Sequence, residues 1–216
     1  MSPQSTNVIA SSGCRIEIAY IDPVTYSSVV NHPLRKEILR ALYRAALDGP
    51  VSKQSIADQL KLDYHQLIYQ LNHHLQDFWT VVEEKKVRGT RMELIAPSNP
   101  YTIFIALGKE QRLYVFDPLA NLFGSLSKVG TRCDACTDKE AAKCLKYVEQ
   151  GCACGKPSSE AELSILKANG RKPPFKPLDN AILCALKGIP SGEKCVVSIP
   201  CEGCAFLKKT IRIEGL

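Results

Sequence analysis

Cysteine is the residue type in this chain with the clearest capacity for chemistry. Ten cysteines occur in 216 residues, and nine of them follow residue 132, five within the segment 133–154. Two pairs, Cys133 with Cys136 and Cys201 with Cys204, have the C-x-x-C spacing that brings two thiolates to one metal ion. Cysteines near these pairs could supply further ligands. The candidate metal ligands are Cys133, Cys136, Cys152, Cys154, Cys195, Cys201 and Cys204.

The second half of the chain contains no histidine that could bind a metal, because all four histidines precede residue 75. A site in the second half would therefore use cysteine alone, or cysteine with carboxylate. All-thiolate tetrahedral sites suit iron–sulfur clusters or zinc. Nine cysteines exceed what one structural zinc requires, which favours an iron–sulfur cluster over zinc. A thiol–disulfide switch without metal stays open. Cys144 and Cys184 lie among apolar helical residues and are predicted to pack in the core.

Composition places the chain among ordinary globular proteins. Apolar residues make up 45% and charged residues 23%, and 216 residues suffice for one large or two small cores. No apolar run reaches the roughly 18 residues of a membrane span. The first residues lack the pattern of a secretory signal, so we expect a cytoplasmic protein with reduced thiols. The net charge of +6 lies mostly in residues 101–216, which fits either a polyanionic partner or a solvated basic surface.

The elements that would precede the cysteines follow a helical apolar pattern. A helix is predicted from Pro33, which suits a first turn. A second helix is predicted after Ser52 as its N-cap, and a third over residues 64–78. Two strands, Thr80 to Lys86 and Arg91 to Ala96, flank a turn at Gly89. The buried positions predicted for these helices are Leu34, Ile38, Leu39, Leu42, Ala45, Ile56, Ala57, Leu60, Leu67, Leu71, Leu75 and Phe78.

Three helices followed by a hairpin predict a winged helix-turn-helix. The segments "NHPLRKEILRAL" and "SKQSIADQLKLDYHQLIYQL", followed by a basic hairpin, resemble the ArsR-type family of winged-helix transcription regulators over roughly residues 20–97. The resemblance implies binding of double-stranded DNA by a homodimer. We therefore predict an α+β chain with a disordered tail at 1–13, a DNA-binding domain at 14–97 and a cysteine-rich sensor domain at 98–216.

Further elements are predicted in the second half. Residues 97–100, "PSNP", indicate a linker, and "YTIFIALGKEQRLYVF" a hairpin. Helices are expected over "DPLANLFGSLSK", over "DKEAAKCLKYVEQG" with Thr137 or Asp138 as cap, over "SSEAELSILKANG" and over "LDNAILCALKG". Strands are expected over "KCVVSI" and "LKKTIRIE".

The DNA contacts are predicted from groove geometry. A helix fits the major groove, where outward side chains can contact base edges, and cations on a hairpin can neutralise phosphates. On the helix the candidates are His65, Gln66, Tyr69, Gln70 and His73. On the hairpin they are Lys85, Lys86, Arg88 and Arg91.

We expect a transcription regulator that senses redox state, oxygen or metal through the cysteine site. No phosphate loop, nucleotide fingerprint or Ser/His/Asp arrangement stands out, so no enzymatic activity is predicted. Two alternatives stay open. One is a winged-helix docking module of a metalloprotein or electron carrier. The other is a regulator with structural zinc and a small-molecule effector.

Overall fold

The computed structural model describes residues 15–87, 89–98, 100–151, 159–188 and 195–198. Its fold is mixed α+β, as predicted. The helices are α1 (Pro23–Val30), α2 (Pro33–Ala45), α3 (Lys53–Leu60), α4 (Tyr64–His73), α5 (Leu126–Val129), α6 (Asp138–Gly151), α7 (Glu160–Ala168) and α8 (Pro177–Gly188). The strands are β1 (Arg15–Tyr20), β2 (Val51–Ser52), β3 (Thr80–Val87), β4 (Thr90–Ala96), β5 (Ile103–Leu107), β6 (Leu113–Asp117), β7 (Leu122–Ser125) and β8 (Cys195–Ser198).

The chain divides into two compact units. One comprises Tyr20–Gly130, and the other comprises Met1–Ala19 with Thr131–Leu216. The predicted domain limits, after residues 13 and 97, were defined by expected function and not by compactness. They stay a prediction. The predicted disordered tail lies outside the described residues.

Local sequence signals explain the helix boundaries in the unit 20–130. Helix α2 begins at Pro33, as predicted. The Ser52 side chain accepts a hydrogen bond from the Ser55 amide and caps α3, which confirms the predicted N-cap. Helix α3 ends at Leu60, and the next residue, Lys61, has a left-handed φ of 53° that terminates the helix. Asp63 then caps α4, so only three residues separate the two helices.

The core of this unit follows the predicted helical faces. The predicted positions that are fully buried are Ile38, Leu39, Leu42, Ile56, Ala57, Leu67, Leu71 and Leu75. The predicted Leu34, Ala45 and Leu60 are only half-buried, whereas Tyr43 on α2, which was not predicted, is fully buried. Strand β4 pairs antiparallel with both β2 and β3. This small sheet contributes the buried Leu94 and Ile95 beside the helices.

Strands β5, β6 and β7 form an antiparallel meander in the same unit. Phe78 joins the meander to the segment that follows α4, because its ring centroid lies 5.1 Å from that of Phe104 and 5.6 Å from that of Phe116. This aromatic cluster is the physical reason why the compact unit continues past residue 97.

The helix predicted over "DPLANLFGSLSK" is wrong. The Asp117 carboxylate accepts a hydrogen bond from the Ala120 amide, and Asn121 has a φ of 54°. Both features are typical of a turn. Leu122 and Phe123 then pair with β6 as part of β7, and only the last three residues of the segment are helical, as the start of α5.

In the second unit, β1 pairs antiparallel with β8, and Ile18 lies opposite Cys195. Helix α8 packs against α6, α7 and β8, and α6 also packs against β8. The Thr137 amide donates to Glu140, whose own amide donates to the Thr137 hydroxyl. This capping box confirms Thr137 as a cap of α6. The strand predicted over "LKKTIRIE" lies outside the described residues.

Candidate functional site

Helix α4 presents four of the five candidate base-reading residues to solvent. The Asp63 carboxylate accepts hydrogen bonds from the His65 and Gln66 amides, so the helix begins with both residues in its first turn. The side chains of His65, Gln66, Tyr69 and His73 are exposed. The apolar residues Leu67 and Leu71 are fully buried on the other face. The predicted division of α4 into a core face and an outward polar face is therefore present.

Gln70 does not share that outward face. Its side chain is 8% exposed, and its carbonyl oxygen accepts a hydrogen bond from Arg35 Nε at 3.0 Å. The same Arg35 donates to the carbonyl oxygen of Ser28 at 2.7 Å. Gln70 thus links α4 to α2, and the periodicity of α4 alone did not reveal this contact.

The carboxyl end of α4 carries an aromatic and imidazole cluster. The ring of Tyr69 lies 4.7 Å from that of His73 and 5.5 Å from that of His74, between centroids. Tyr69 itself is 54% exposed. Burial lowers the pKa of His74, and the positive charge of Arg35 lowers it further. Tyr69 and His73 are both exposed at this end of the helix, whereas His74 is half-buried.

The hairpin formed by β3 and β4 has cations on both faces. Lys86 lies directly opposite Arg91, and Lys85 opposite Met92. Because opposite residues share a face and neighbours alternate, Lys86 and Arg91 project from one face and Lys85 from the other. Every residue of β3 is exposed. Arg88 lies outside the described residues.

Glutamates on the same strand offset part of this positive charge, and the sequence prediction overlooked them. Lys85 pairs with Glu83 at 3.4 Å, and Arg91 pairs with Glu84. Within the described part of the chain, Lys86 makes no ion pair. Among the hairpin cations that the structure describes, Lys86 is therefore the one best placed to meet an external anion.

A second cluster ties the two candidate DNA-contacting elements together. The ammonium of Lys53, at the start of α3, lies 2.6 Å from Glu93 on β4 and 4.8 Å from the centre of the Trp79 indole ring. The hydrogen bond from Lys53 lowers the pKa of Glu93. Trp79 also donates its indole N–H to Leu71 at the end of α4. The spacing of apolar residues predicts none of these contacts. The position of Trp79 between a helix and a hairpin could have indicated a packing contact between them.

The structure brings two of the seven candidate metal ligands together. Cys133 lies in the 3-10 turn Arg132–Ala135, and Cys136 directly follows that turn, where its amide donates to the Cys133 carbonyl oxygen at 3.0 Å. Cys133 is buried and Cys136 is half-buried. Cys195 lies on β8. Cys152, Cys154, Cys201 and Cys204 lie outside the described residues.

The turn with the two cysteines is compatible with half of a tetrahedral thiolate site. Two thiols a C-x-x-C apart match the spacing of zinc and iron–sulfur ligands. No group of three or more candidate ligand side chains occurs within the described ranges, and four of the predicted ligands lie outside those ranges. Cys144 and Cys184 are both half-buried on their helices, which leaves their predicted packing role a prediction.

Ion pairs surround this cysteine turn. Arg171 bonds to Asp134, which lies between the two cysteines, and also to Asp179 on α8. Burial by itself would raise the pKa of Asp134, but the hydrogen bonds from Arg171 and from the Thr131 amide outweigh it and hold the pKa low. The turn therefore carries an ionised carboxylate with its counterion in place.

Comparison with known proteins gives no match, whether to family models, to curated proteins or to solved structures. Among the described residues, none of the helices has the length and apolar character needed to span a membrane. Functional proposals for this chain therefore rest on its own residues.

Proposed function

We propose that this protein is a winged helix-turn-helix transcription regulator that binds double-stranded DNA as a homodimer. The observation that carries the proposal is the outward face of α4. Four polar or aromatic side chains are exposed on a helix that follows α3 after a three-residue turn. A hairpin with exposed cations follows the same helix. This order of elements suits a recognition helix with a wing.

The two surfaces would have different tasks. Gln66 can form two hydrogen bonds with an adenine edge in the major groove, which would distinguish sequences. Lys86 and Arg91 would contact phosphates, which supplies affinity without sequence information. Two copies on a palindromic operator would read half-sites about 10–10.5 base pairs apart.

The cysteine-rich part would serve as the sensor. Cys133 and Cys136 would hold an iron–sulfur cluster, or zinc, together with cysteines from the segments 152–154 and 195–204. When bound, such a group links distant segments and makes their folding depend on metal or redox state. A change in that state would shift the population of the DNA-binding form.

The DNA-binding part of the proposal is tested by operator selection followed by binding measurements. Operators are selected from random duplexes with the full-length protein, and affinity is measured across a range of salt concentrations. Lys86→Ala with Arg91→Ala should weaken binding to all duplexes and lower the salt slope by about 1 for each lost phosphate contact. Gln66→Ala should instead reduce discrimination among operators by about 1–3 kcal/mol.

A matched control is available in the same unit. Lys109 and Arg112 are exposed cations beside the hairpin turn between β5 and β6. Lys109→Ala with Arg112→Ala removes the same charge at another place and should leave affinity and salt slope nearly unchanged. Equal losses in the two double variants would show that net charge, and not the hairpin, determines binding. Selection of no duplex would reject the proposed function.

A further inference from the structure

The turn that holds Cys133 and Cys136 is anchored by an arginine far along the chain. The guanidinium of Arg171 donates to the two carboxylate oxygens of Asp134 at 2.6 and 3.0 Å. It also donates to the two carboxylate oxygens of Asp179 at 2.7 and 3.0 Å. The Arg171 side chain is 14% exposed. Charge-assisted, two-pronged contacts of this kind are among the stronger hydrogen bonds in proteins.

The carboxylates of Asp134 and Asp179 each accept a further hydrogen bond from a backbone amide. Asp134 also accepts from the Thr131 amide at 2.6 Å, which closes the 3-10 turn. Asp179 also accepts from the Lys176 amide at 2.9 Å, at the start of α8. Arg171 therefore joins the cysteine turn to the first turn of α8. Because the side chain of Asp179 is 2% exposed, loss of the guanidinium would leave a buried charge without its partner.

A second cation holds the other end of the same turn. The ammonium of Lys176 lies 2.7 Å from the Asp138 carboxylate at the start of α6, and 3.5 Å from the Cys136 carbonyl oxygen. Arg171 and Lys176 both belong to the connection between α7 and α8. The cysteine pair is thus fixed from two sides by one short segment, and both anchors are positively charged.

We propose that Arg171 is a positioning residue for the Cys133–Cys136 pair, which it holds through Asp134 in the arrangement that receives a metal. This inference rests on the metal site of the proposed function and adds a residue outside the thiolate ligands. A metal requires its ligands at fixed positions, and an unanchored turn would lose conformational entropy on binding. Partners that orient ligands from outside the coordination sphere typically change metal affinity by about 10- to 100-fold.

The test uses full-length protein, stripped of metal under anaerobic conditions and titrated with cobalt(II) alone. Binding is followed by the absorption that thiolate ligands give to cobalt. Arg171→Gln and Asp134→Asn should each weaken binding by about 10- to 100-fold. The double variant should lose no more than either single variant, because both substitutions break the same contact.

Asp179→Asn is the matched control. It weakens the other half of the same guanidinium network, at α8, and leaves the Arg171–Asp134 contact in place. We expect it to lower the melting temperature while the cobalt affinity stays at the wild-type value. A merely structural role of Arg171 predicts that all three substitutions weaken cobalt binding in proportion to their loss of stability. That outcome would overturn the proposal.

A labelling experiment separates this inference from the metal site itself. Alkylation of the metal-free protein, resolved by peptide mass spectrometry, reports the accessibility of each thiol. Arg171→Gln should speed the labelling of the buried Cys133 and leave that of Cys184 unchanged. Asp134→Asn, which keeps Arg171 on Asp179, serves if Arg171→Gln does not fold. If the wild type takes up no cobalt, the proposed metal site is rejected. The labelling rates then still show whether Arg171 holds the Cys133–Cys136 turn in place. Unchanged Cys133 labelling together with unchanged cobalt affinity refutes that role.

Discussion

Trp79 donates its indole N–H to the carbonyl oxygen of Leu71 across 3.1 Å. Leu71 belongs to α4, and the face of the same indole lies 4.8 Å from the ammonium of Lys53 at the start of α3. Lys53 in turn bonds to Glu93 on β4. Trp79 and Lys53 together thus connect α3 and α4 with the hairpin, and α4 and the hairpin are the elements proposed to contact DNA. The geometry of that surface depends on residues that would not touch DNA.

Trp79→Phe tests this connection. The substitution keeps an aromatic ring near Lys53 but removes the donor to Leu71, so the free energy of unfolding should fall by about 1 kcal/mol. Urea denaturation measures the change. Tyr69→Phe is the control, because Tyr69 is exposed and also loses one polar hydrogen, and it should leave stability nearly unchanged. Equal stability of wild type and Trp79→Phe would contradict a stabilising role for the contact.

Gln70→Ala and Gln66→Ala should have opposite consequences although the residues are four apart on α4. Gln70 receives the hydrogen bond from Arg35 between α2 and α4. Its removal should lower the free energy of unfolding by about 1.5–3 kcal/mol, because one partner is charged. Gln66 is exposed, so its removal should leave stability unchanged and alter operator preference. A change in operator preference from Gln70→Ala at unchanged stability would place Gln70 at the DNA instead.

Local patterns in the sequence were sufficient for the order of the helices and the hairpin within residues 33–96, although α4 ends at His73 and not at residue 78 as predicted. Pro33, Ser52 and the apolar spacing of Leu67 and Leu71 act within a few residues, so the sequence carries them directly. The meander was harder to predict. The segment 117–128 has helical spacing, but Asn121 and the pairing of Phe123 with β6 make it a turn and a strand. Pairing between strands involves distant residues that a local pattern does not contain.

For the candidate DNA-contacting surface, the sequence predicted which residues of α4 are exposed but not which side chains bond to one another. The exposed positions of Gln66 and Tyr69 follow from the period of α4. The bond between Arg35 and Gln70 spans 35 residues, and it requires knowledge of how α2 crosses α4. Counting only the hairpin cations also overlooked Glu83 and Glu84. Long-range polar contacts of this type require the tertiary arrangement.

We expect His74 to make the stability of the unit 20–130 depend on pH. Burial lowers the pKa of His74 below the usual 6.5 of a histidine, and neighbouring positive charge lowers it further. His74 therefore binds a proton more tightly in the unfolded chain than in the folded chain. The free energy of unfolding should fall as the pH drops below 6.5 toward the lowered pKa. The charged or titratable groups that contribute are Arg35, His73 and His32.

His74→Gln removes this titration while keeping a polar side chain at the end of α4. Melting temperatures measured between about pH 7.5 and about pH 5.5 should decline less in this variant than in the wild type. His65→Gln removes an exposed histidine from the same helix and serves as the control. Parallel curves for wild type and His74→Gln would show that another group determines the pH dependence.

The cysteines are tested by comparing two kinds of variant for bound metal after anaerobic purification. Cys201→Ser with Cys204→Ser removes one predicted C-x-x-C pair, so the protein should lose its iron or zinc and melt at a lower temperature, because metal binding and folding are coupled. DNA binding should persist, since the core of the unit 20–130 contains neither residue. Cys144→Ala should retain the metal and cost only packing, because Cys144 is one helical turn from the buried Ala141 on α6.

The outcome of the metal analysis distinguishes the remaining alternatives for the cysteines. Full metal content in the Cys201→Ser/Cys204→Ser variant, or its loss in Cys144→Ala, would contradict the division into ligand and packing cysteines. A coloured, iron-containing wild type supports a cluster, whereas a colourless zinc-containing protein favours structural zinc with a separate effector. Absence of both metals would leave a thiol–disulfide switch, for which Cys133 and Cys136 already share one turn.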